Sequence, residues 1–466
     1  MRGSLAHMIA SMPGARMTLN AKFDGVSTDS RTATPGSLFV ALKGENFDAH
    51  DYLEQVAARG VAAVVVNRVP AGWTLPAIIV PDTLAALGQI GNFWRSKYSI
   101  PLIGVTGSNG KTTVKEMIAA ILAQAHGEDN RLATQGNLNN EIGVPLTLMR
   151  LAPNHKSAVV ELGMNHPGEI GRLTKIAAPT IGMVNNAQRE HQEFMHTVEA
   201  VARENGCVIA GLPEHGVAVF PGDDEYTPIW RELAEARGER KVITFGLSGA
   251  ETVSATHIAS AQGSELTVTV REGANAGTFT VRLNAAGLHN VRNALAAIAC
   301  ACAAGIGKED IVAGLESFAP VSGRLQRKQA ASGVTVIDDS YNANPDSVRA
   351  AIDVLAQAPS PRILVLGDMG EVGTQGPEFH REIGDYAASR GIDCVLATGE
   401  LARHMRDSGA QHFDQFDDLL AALDQQLGRS ERPGDATVLV KGSRFMKMER
   451  VVQHLLGTQN TGKEAH

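Results

Sequence analysis

The sequence predicts an α/β protein of three domains whose sheets are largely parallel and covered by helices on both faces. Three observations predict it. Apolar strand-like runs alternate with helical periodicity along nearly the whole chain, as parallel sheets require. The length of 466 residues suffices for about three domains of roughly 150 residues each. A glycine turn followed by lysine and two threonines, "VTGSNGKTTVKEM" from Val105 to Met117, sits between a strand and a helix and has the form of a phosphate loop.

The elements follow in order. The start, "MRGSLAHMIASMPGARM", has its apolar residues interrupted by His7. Leu5, Ile9 and Gly14 suit a short helix and its cap rather than a signal peptide. Over 1–99, runs such as "SLFVAL" and "VAAVVV" alternate with helical patterns such as "HDYLEQVAARG", which makes a first α/β domain. The second, 100–318, opens with "IPLIGV" feeding the glycine turn. Val114, Met117, Ile118, Ile121 and Leu122 then recur at helical spacing, and "SAVVEL" is a further strand. Between Lys241 and Leu283 the pattern turns antiparallel, with "ELTVTV" and "GTFTVRL" flanking "REGANA" as a hairpin. The run "ALAAIACACAAG" from Ala294 is too short and too alanine-rich to span a bilayer and reads as a packed helix. The third domain, 319–466, holds "VTVIDD", "RILVLGD", "DCVLATGE" and "ATVLVKGS", each a strand followed by a helical pattern, and ends in a frayed tail, "GTQNTGKEAH".

Composition narrows the function. Hydrophobic content of 44% and charged content of 20% describe a soluble globular chain. A net charge of −8 argues against nucleic acid or an anionic membrane surface held by bulk charge, so an anionic ligand must be met by local cations and backbone N–H groups. Cys207, Cys300, Cys302 and Cys394 form no CxxC pair and no metal spacing, which reads as idle thiols in a reducing compartment. A cytoplasmic monomer without stable membrane insertion is the expectation.

In open parallel sheets ligands gather at the carboxyl ends of strands. Lys111 follows one strand, Glu161 ends another, Asp338 and Asp339 end a third, and Asp368 closes a fourth. In a phosphate loop the glycines let backbone N–H groups wrap an anion, the lysine reaches its outer phosphates, and the next hydroxyl ligates magnesium. Gly107, Gly110, Lys111, Thr112 and Thr113 match those roles, although Val105 stands where the first glycine of GxxxxGK[ST] belongs. Glu161 is either a surface glutamate or a hard oxygen ligand for magnesium, and His191 either structural or a second ligand. Asn290 and Asn293, spaced i, i+3, could read a base edge or cap their helix. "IDDSYNANPDS" crowds polar groups after a strand, as a turn or as a ligand contact, and "LVLGDMGEVG" lacks the GxGxxG spacing of a dinucleotide site.

"TGSNGKTT", "ELG" at Glu161, "HNxxN" at His289 and "SGR" at Arg324 together resemble the ATP-dependent Mur ligases of peptidoglycan synthesis. "STDSR" (Ser27 to Arg31), "LFVALKGENFDAHDY", "TQGNLNNEIGVPLTL", "DDSYNANPDS", "LGDMGEVG" and "LVKGSR" extend that resemblance in order from about Val26 to Arg450. The resemblance implies an N-terminal UDP-binding α/β domain, a central P-loop ATPase domain and a C-terminal Rossmann-like domain. It implies the joining of D-alanyl-D-alanine to the terminal carboxylate of a UDP-N-acetylmuramoyl-tripeptide, with ATP and magnesium, through an acyl phosphate and a tetrahedral intermediate.

The same resemblance implies the roles of individual residues. Lys111, Glu161 and His191 would be catalytic, with Thr112, Glu161 and His191 holding metal. Gly107, Ser108, Asn109, Gly110, Lys111, Thr112 and Thr113 would cradle the phosphates, Asn290 and Asn293 would face the adenine end, Arg324 the phosphates and Asp339 the ribose. Ser30, Arg31, Lys43 and Gly44 would hold the uridine diphosphate, and Asn137, Asn139 and Asn140 the muramoyl-peptide. Tyr341, Asn342, Lys441, Ser443 and Arg444 would line the cleft nearby. Two departures stand out: Asn205 occupies the position at which several Mur ligases carry a carbamylated lysine, and Gln192 stands where relatives often have leucine. The "DNPR" motif of the ligase adding the third residue is absent, folylpolyglutamate synthetase does not account for the "DSR…ALKG" domain, and a nucleotide-gated switch would share only the loop.

Overall fold

The computed structural model describes residues 1–457 apart from 239, 261 and 430–432. The tail from 458 onward lies outside the described residues. Three large sheets and one two-stranded ribbon form among the described residues. The N-terminal five-stranded sheet runs Arg16–Met17, Ala77–Ile79, Ala63–Val66, Leu38–Val40, Val26–Ser27 across its width, parallel except at Arg16–Met17. A two-stranded antiparallel ribbon of Arg2–Ser4 and Lys22–Asp24 lies beside it.

The central sheet has nine strands. Leu102–Thr106, which feeds the phosphate loop, sits between Ser157–Glu161 and Ile181–Val184, all parallel. The expected antiparallel stretch from Lys241 is corrected at its beginning: Lys241–Gly246 pairs in parallel with Val217–Pro221, and with the start of Val253–Ala259 as well. Antiparallel pairing begins only where Val253–Ala259 meets Ser264–Val270, which forms the expected hairpin with Gly277–Leu283.

The C-terminal sheet has six strands, with Thr437–Lys441 between Thr335–Asp339 and Arg362–Leu366, and one antiparallel edge strand, Gln326–Gln329. That edge strand, "QRKQ", is wholly polar and gave no strand signal in the sequence.

Burial explains why these patterns fold as they do. Val114, Met117, Ile118, Ile121 and Leu122 on the helix Lys111–His126 are all fully buried, and burying each such side chain stabilises by roughly 1.5–3 kcal/mol. They pack with the alanine-rich helix Leu288–Ala303 and with Lys308–Ser317 on one face of the central sheet. Small side chains let the backbones approach: a Cβ on Gly314 would overlap the backbone of Ile121. The other face is covered by Glu169–Ala177, Val198–Ala210 and Thr227–Glu235. The helix Thr83–Arg95, from the first segment, also packs on the central domain, where a Cβ on Gly91 would lie 2.8 Å from Pro145 Cα. Among the described residues no helix is long and apolar enough to cross a membrane.

Candidate active site

A cleft of about 890 Å³ opens at the carboxyl ends of the central and C-terminal sheets. The phosphate loop forms its floor. Gly107 and Gly110 take φ of +139° and +79°, and Gly110 caps the helix Lys111–His126 without any capping side chain. The first N–H groups and the positive end of the helix dipole therefore face the cleft. Lys111 curls over its own loop, donating to the Gly107 carbonyl at 2.7 Å and the Ser108 carbonyl at 3.1 Å. Its ammonium also meets Glu190 Oε1 at 3.1 Å.

Glu161, at the end of its strand, is buried beside the loop. One carboxylate oxygen accepts from the Thr112 hydroxyl at 2.9 Å and the other from the Asn139 amide at 2.8 Å. The Glu161 N–H donates to Thr134 Oγ1 at 2.9 Å, which locks the strand end. Among the described residues no basic side chain pairs with Glu161. A buried carboxylate and a neighbouring hydroxyl are the hard oxygen donors a divalent cation takes, so this pair fits magnesium.

The loop after Ile181–Val184 supplies an amide network. Asn185 Nδ2 donates to the Asn109 carbonyl at 2.8 Å and to Asn293 Oδ1 at 2.9 Å, and Asn293 donates to Asn290 Oδ1 at 3.1 Å. Asn290 donates onward to the Ala286 carbonyl, so Gly287, not an asparagine, caps this helix. Both asparagines are buried and engaged by other amides, bracing the phosphate loop from behind.

His191 lies between two carboxylates, 3.3 Å from Glu190 through Nε2 and paired with Glu371 through Nδ1. Burial would lower its pKa, but Glu190 and Glu371 outweigh burial and push it up to about 9. Burial likewise opposes ionisation of Glu190, yet Lys111 and His191 hold its carboxyl below the usual range. With its pKa raised, ligating a metal would require His191 to give up a proton and exchange a carboxylate partner.

The C-terminal wall carries Arg324, Asp339, Tyr341 and Asn342. Arg324 lies over the Tyr341 ring, 4.2 Å from its centroid. Asp339 accepts from the Leu325 N–H at 3.1 Å and from Lys441 Nζ at 2.6 Å, so both its oxygens are engaged, and Lys441 also donates to the Asn342 carbonyl.

The cleft brings together Ser108, Asn109, Gly110, Lys111, Thr112, Thr113, Asn137, Asn139, Asn140, Glu161, His191, Asn290, Asn293, Arg324, Asp339, Tyr341, Asn342 and Lys441. Other residues lie outside it. Ser30 and Arg31 follow one N-terminal strand and Lys43 and Gly44 its parallel neighbour, at one end of that sheet. There the Arg31 guanidinium folds onto Asp29. Buried Ser443 donates to the Asp368 carbonyl at 2.7 Å, and Arg444 is exposed and paired with Glu449.

Asp368 and Asp338 serve the fold rather than the cleft. Asp368 accepts from the Leu401 and Ala402 N–H groups, and Asp338 pairs with Lys328 at 2.6 Å. Asn205 is fully buried and accepts from the Thr106 hydroxyl at 2.7 Å. It carries an amide, with no amine to carbamylate.

Residues 105–301 match the Mur ligase middle domain, 323–444 the Mur ligase glutamate ligase domain, and 22–95 the Mur ligase family catalytic domain. The UDP-N-acetylmuramoyl-tripeptide–D-alanyl-D-alanine ligase of Escherichia coli (strain K12) is 41% identical over 449 residues, 95% of either chain. The chain belongs to the Mur ligase family. Among solved Mur ligases, MurF from Acinetobacter baumannii superposes with a TM-score of 0.91 at 34% identity, covering 98% of this chain and 99% of that one. MurF from Thermotoga maritima in complex with ADP superposes at 0.82 with 25% identity, covering 93% and 97%.

This Mur ligase also places residues at its cleft that sequence reasoning missed. Asn185, Asn186, Gln188 and Glu190 line it, from a stretch read only for His191. Arg292 and Asp223 form a bidentate pair at 2.8 Å on the far rim. The signal for the first four was available: "NNAQRE" follows the strand adjacent to the phosphate-loop strand, where ligand-facing residues gather.

Proposed function

We propose that this Mur ligase joins D-alanyl-D-alanine to the terminal carboxylate of UDP-N-acetylmuramoyl-tripeptide, with conversion of ATP to ADP and phosphate, in peptidoglycan precursor synthesis. A carboxylate is a poor electrophile at neutral pH. Transfer of the γ-phosphoryl group onto it gives an acyl phosphate with a good leaving group, the dipeptide amine attacks, and phosphate departs from a tetrahedral intermediate. The physical difficulty is charge, because an anionic carboxylate must approach an anionic phosphate.

The observation that carries this reading is the meeting, in one cleft, of the Lys111 ammonium, the helix N-terminus that no side chain caps, and the Glu161–Thr112 pair. Lys111 and the loop N–H groups neutralise the phosphates and orient them for in-line transfer. Glu161 and Thr112 would hold magnesium, with His191 toward a second ion, and the metal would supply further neutralisation of phosphate charge.

Asn137, Asn139 and Asn140 border the seat of the muramoyl-peptide. Asn140 accepts from the Ile142 and Gly143 N–H groups, which fixes that loop. Ser30, Arg31, Lys43 and Gly44 take the uridine diphosphate, with Arg31 released from Asp29 by the competing diphosphate. Tyr341, Asn342, Lys441, Ser443 and Arg444 form the C-terminal side. Asn290 and Asn293 act on the nucleotide through the loop they brace, Arg324 meets its phosphates and Asp339 its ribose. Domain limits of 1–99, 100–318 and 319–466 are supported by the one large sheet that the described residues of each segment form. The enzyme works in the cytoplasm as a monomer.

Product analysis by mass tests the reading. With ATP, UDP-tripeptide and a panel of amino acids and dipeptides, the D-alanyl-D-alanine adduct is the expected product. Preferential addition of a single amino acid, or phosphate release without any amine, contradicts it.

A further inference from the structure

Residues 188–191 bridge the two walls of the cleft, and successive side chains reach different partners. The Arg189 backbone N–H donates to Asp346 Oδ2 at 2.8 Å, and its guanidinium donates to Asp346 Oδ1 at 2.7 and 3.1 Å. The same guanidinium forks onto Glu382 at 2.8 and 3.1 Å and lies over the Phe379 ring. Asp346 and Glu382 belong to two helices of the C-terminal domain, Pro345–Ala356 and Gly376–Ser389. Planar forks on two carboxylates fix direction as well as distance, which a lysine could not do.

The next two residues connect this grip to the phosphate loop. Glu190 meets Lys111, and His191 meets both Glu190 and Glu371 of the C-terminal domain. The His191 backbone has φ of +52°, a left-handed conformation disfavoured for a non-glycine residue, so surrounding contacts hold the turn in place. A second link runs in parallel. Asn344, which caps the helix carrying Asp346, exchanges amide hydrogen bonds with Asn109 at 2.9 and 3.3 Å. One helix start thus grips the phosphate loop and the 188–191 loop together.

We propose that Arg189 is a positioning residue: its fork onto Asp346 and Glu382 seats the C-terminal domain on the central domain and so fixes Glu190 beside Lys111 for the ligation steps. An isolated surface ion pair would be screened and contribute little. Arg189 is a quarter exposed, and its fork is reinforced by Arg349, which donates to the same Glu382. The inference rests on the ligase reading above, and amide formation by the unmodified chain is the control that separates the two.

The test uses the full chain with Arg189→Ala, Arg189→Lys, the double change Asp346→Asn/Glu382→Gln, and the triple combination of Arg189→Ala with that double change. Two readings are taken: kcat with the ATP KM in the ligation assay, and the radius of gyration by small-angle scattering. Arg189→Ala is expected to lower kcat by about tenfold or more while moving the ATP KM by less than about threefold, and to enlarge the radius of gyration. Arg189→Lys recovers part of both. The triple variant is no worse than Arg189→Ala, because the three residues act as one unit.

Unchanged kcat, an effect confined to the ATP KM, an unchanged radius of gyration, or additive losses in the triple variant would each overturn the proposal. If Arg189→Ala does not fold, the Asp346→Asn/Glu382→Gln variant decides by the same readings. If the unmodified chain forms no amide, the ligase reading fails, and the scattering comparison still judges the domain seat.

Discussion

Replacing Gly110 by alanine probes how tightly the phosphate loop is built. Gly110 has φ of +79°, where an alanine costs roughly 1–2 kcal/mol. Its Cβ would overlap Asn293 Oδ1 and lie 2.7 Å from Asn185 Nδ2, the two atoms that share a 2.9 Å hydrogen bond. Parting them leaves buried amide groups unsatisfied, at roughly 1–3 kcal/mol. The sum is roughly 2–5 kcal/mol, so if the folded loop absorbs the cost, ATP affinity falls by about 30-fold to a few thousandfold.

Gly36 is the matched control, because it has the same φ of +79° and nothing within 4 Å of its Cβ. Gly36→Ala should lower stability by roughly 1–2 kcal/mol and leave ATP use unchanged. The ATP KM from phosphate release and the denaturation midpoint of both variants decide the matter. If Gly110→Ala keeps the ATP KM of the unmodified chain and loses no more stability than Gly36→Ala, the reasoning about the amide brace is wrong.

Further outcomes follow from the same geometry. Lys111→Ala should abolish turnover, since the phosphates lose their principal cation; near-normal amide formation by this variant would refute that. Lys441→Met strands Asp339 as a buried unpaired carboxyl and should cost roughly 3–5 kcal/mol by chemical denaturation, most of it recovered by adding Asp339→Asn. His289 is depressed to about 4 by burial and then by nearby Lys441. Its neutral folded form contributes stability above pH 6.5 that is lost as pH falls toward 4, roughly 3 kcal/mol in all. His289→Gln should flatten stability over that window, and an equal slope in the variant would exclude His289 as the source.

The sequence made the parallel sheets and the phosphate loop legible because their signals are local: apolar strand runs, helical spacing after Lys111, and glycines at Gly107 and Gly110. The strand Gln326–Gln329 was not legible, since an edge strand with a polar composition carries no alternation to read. Within the site, the placement of Glu161 beside Thr112 depends on adjacent strands ending at one level, which strand-end position suggests in advance. The engagement of Asn293 by Asn185, and of Asp339 by Lys441, depends on contacts between residues about a hundred positions apart. Arg189 and Glu190 escaped notice for the same reason. A charged residue in a loop reads as solvated until its partner, distant in sequence, is in place.

The central claim, that ATP activates the tripeptide carboxylate, is tested most directly by isotope transfer. UDP-tripeptide bearing oxygen-18 in its terminal carboxylate is converted with ATP and D-alanyl-D-alanine, and the released phosphate is weighed by mass spectrometry. One labelled oxygen per phosphate is the predicted result. Unlabelled phosphate accompanying full amide formation would contradict the account.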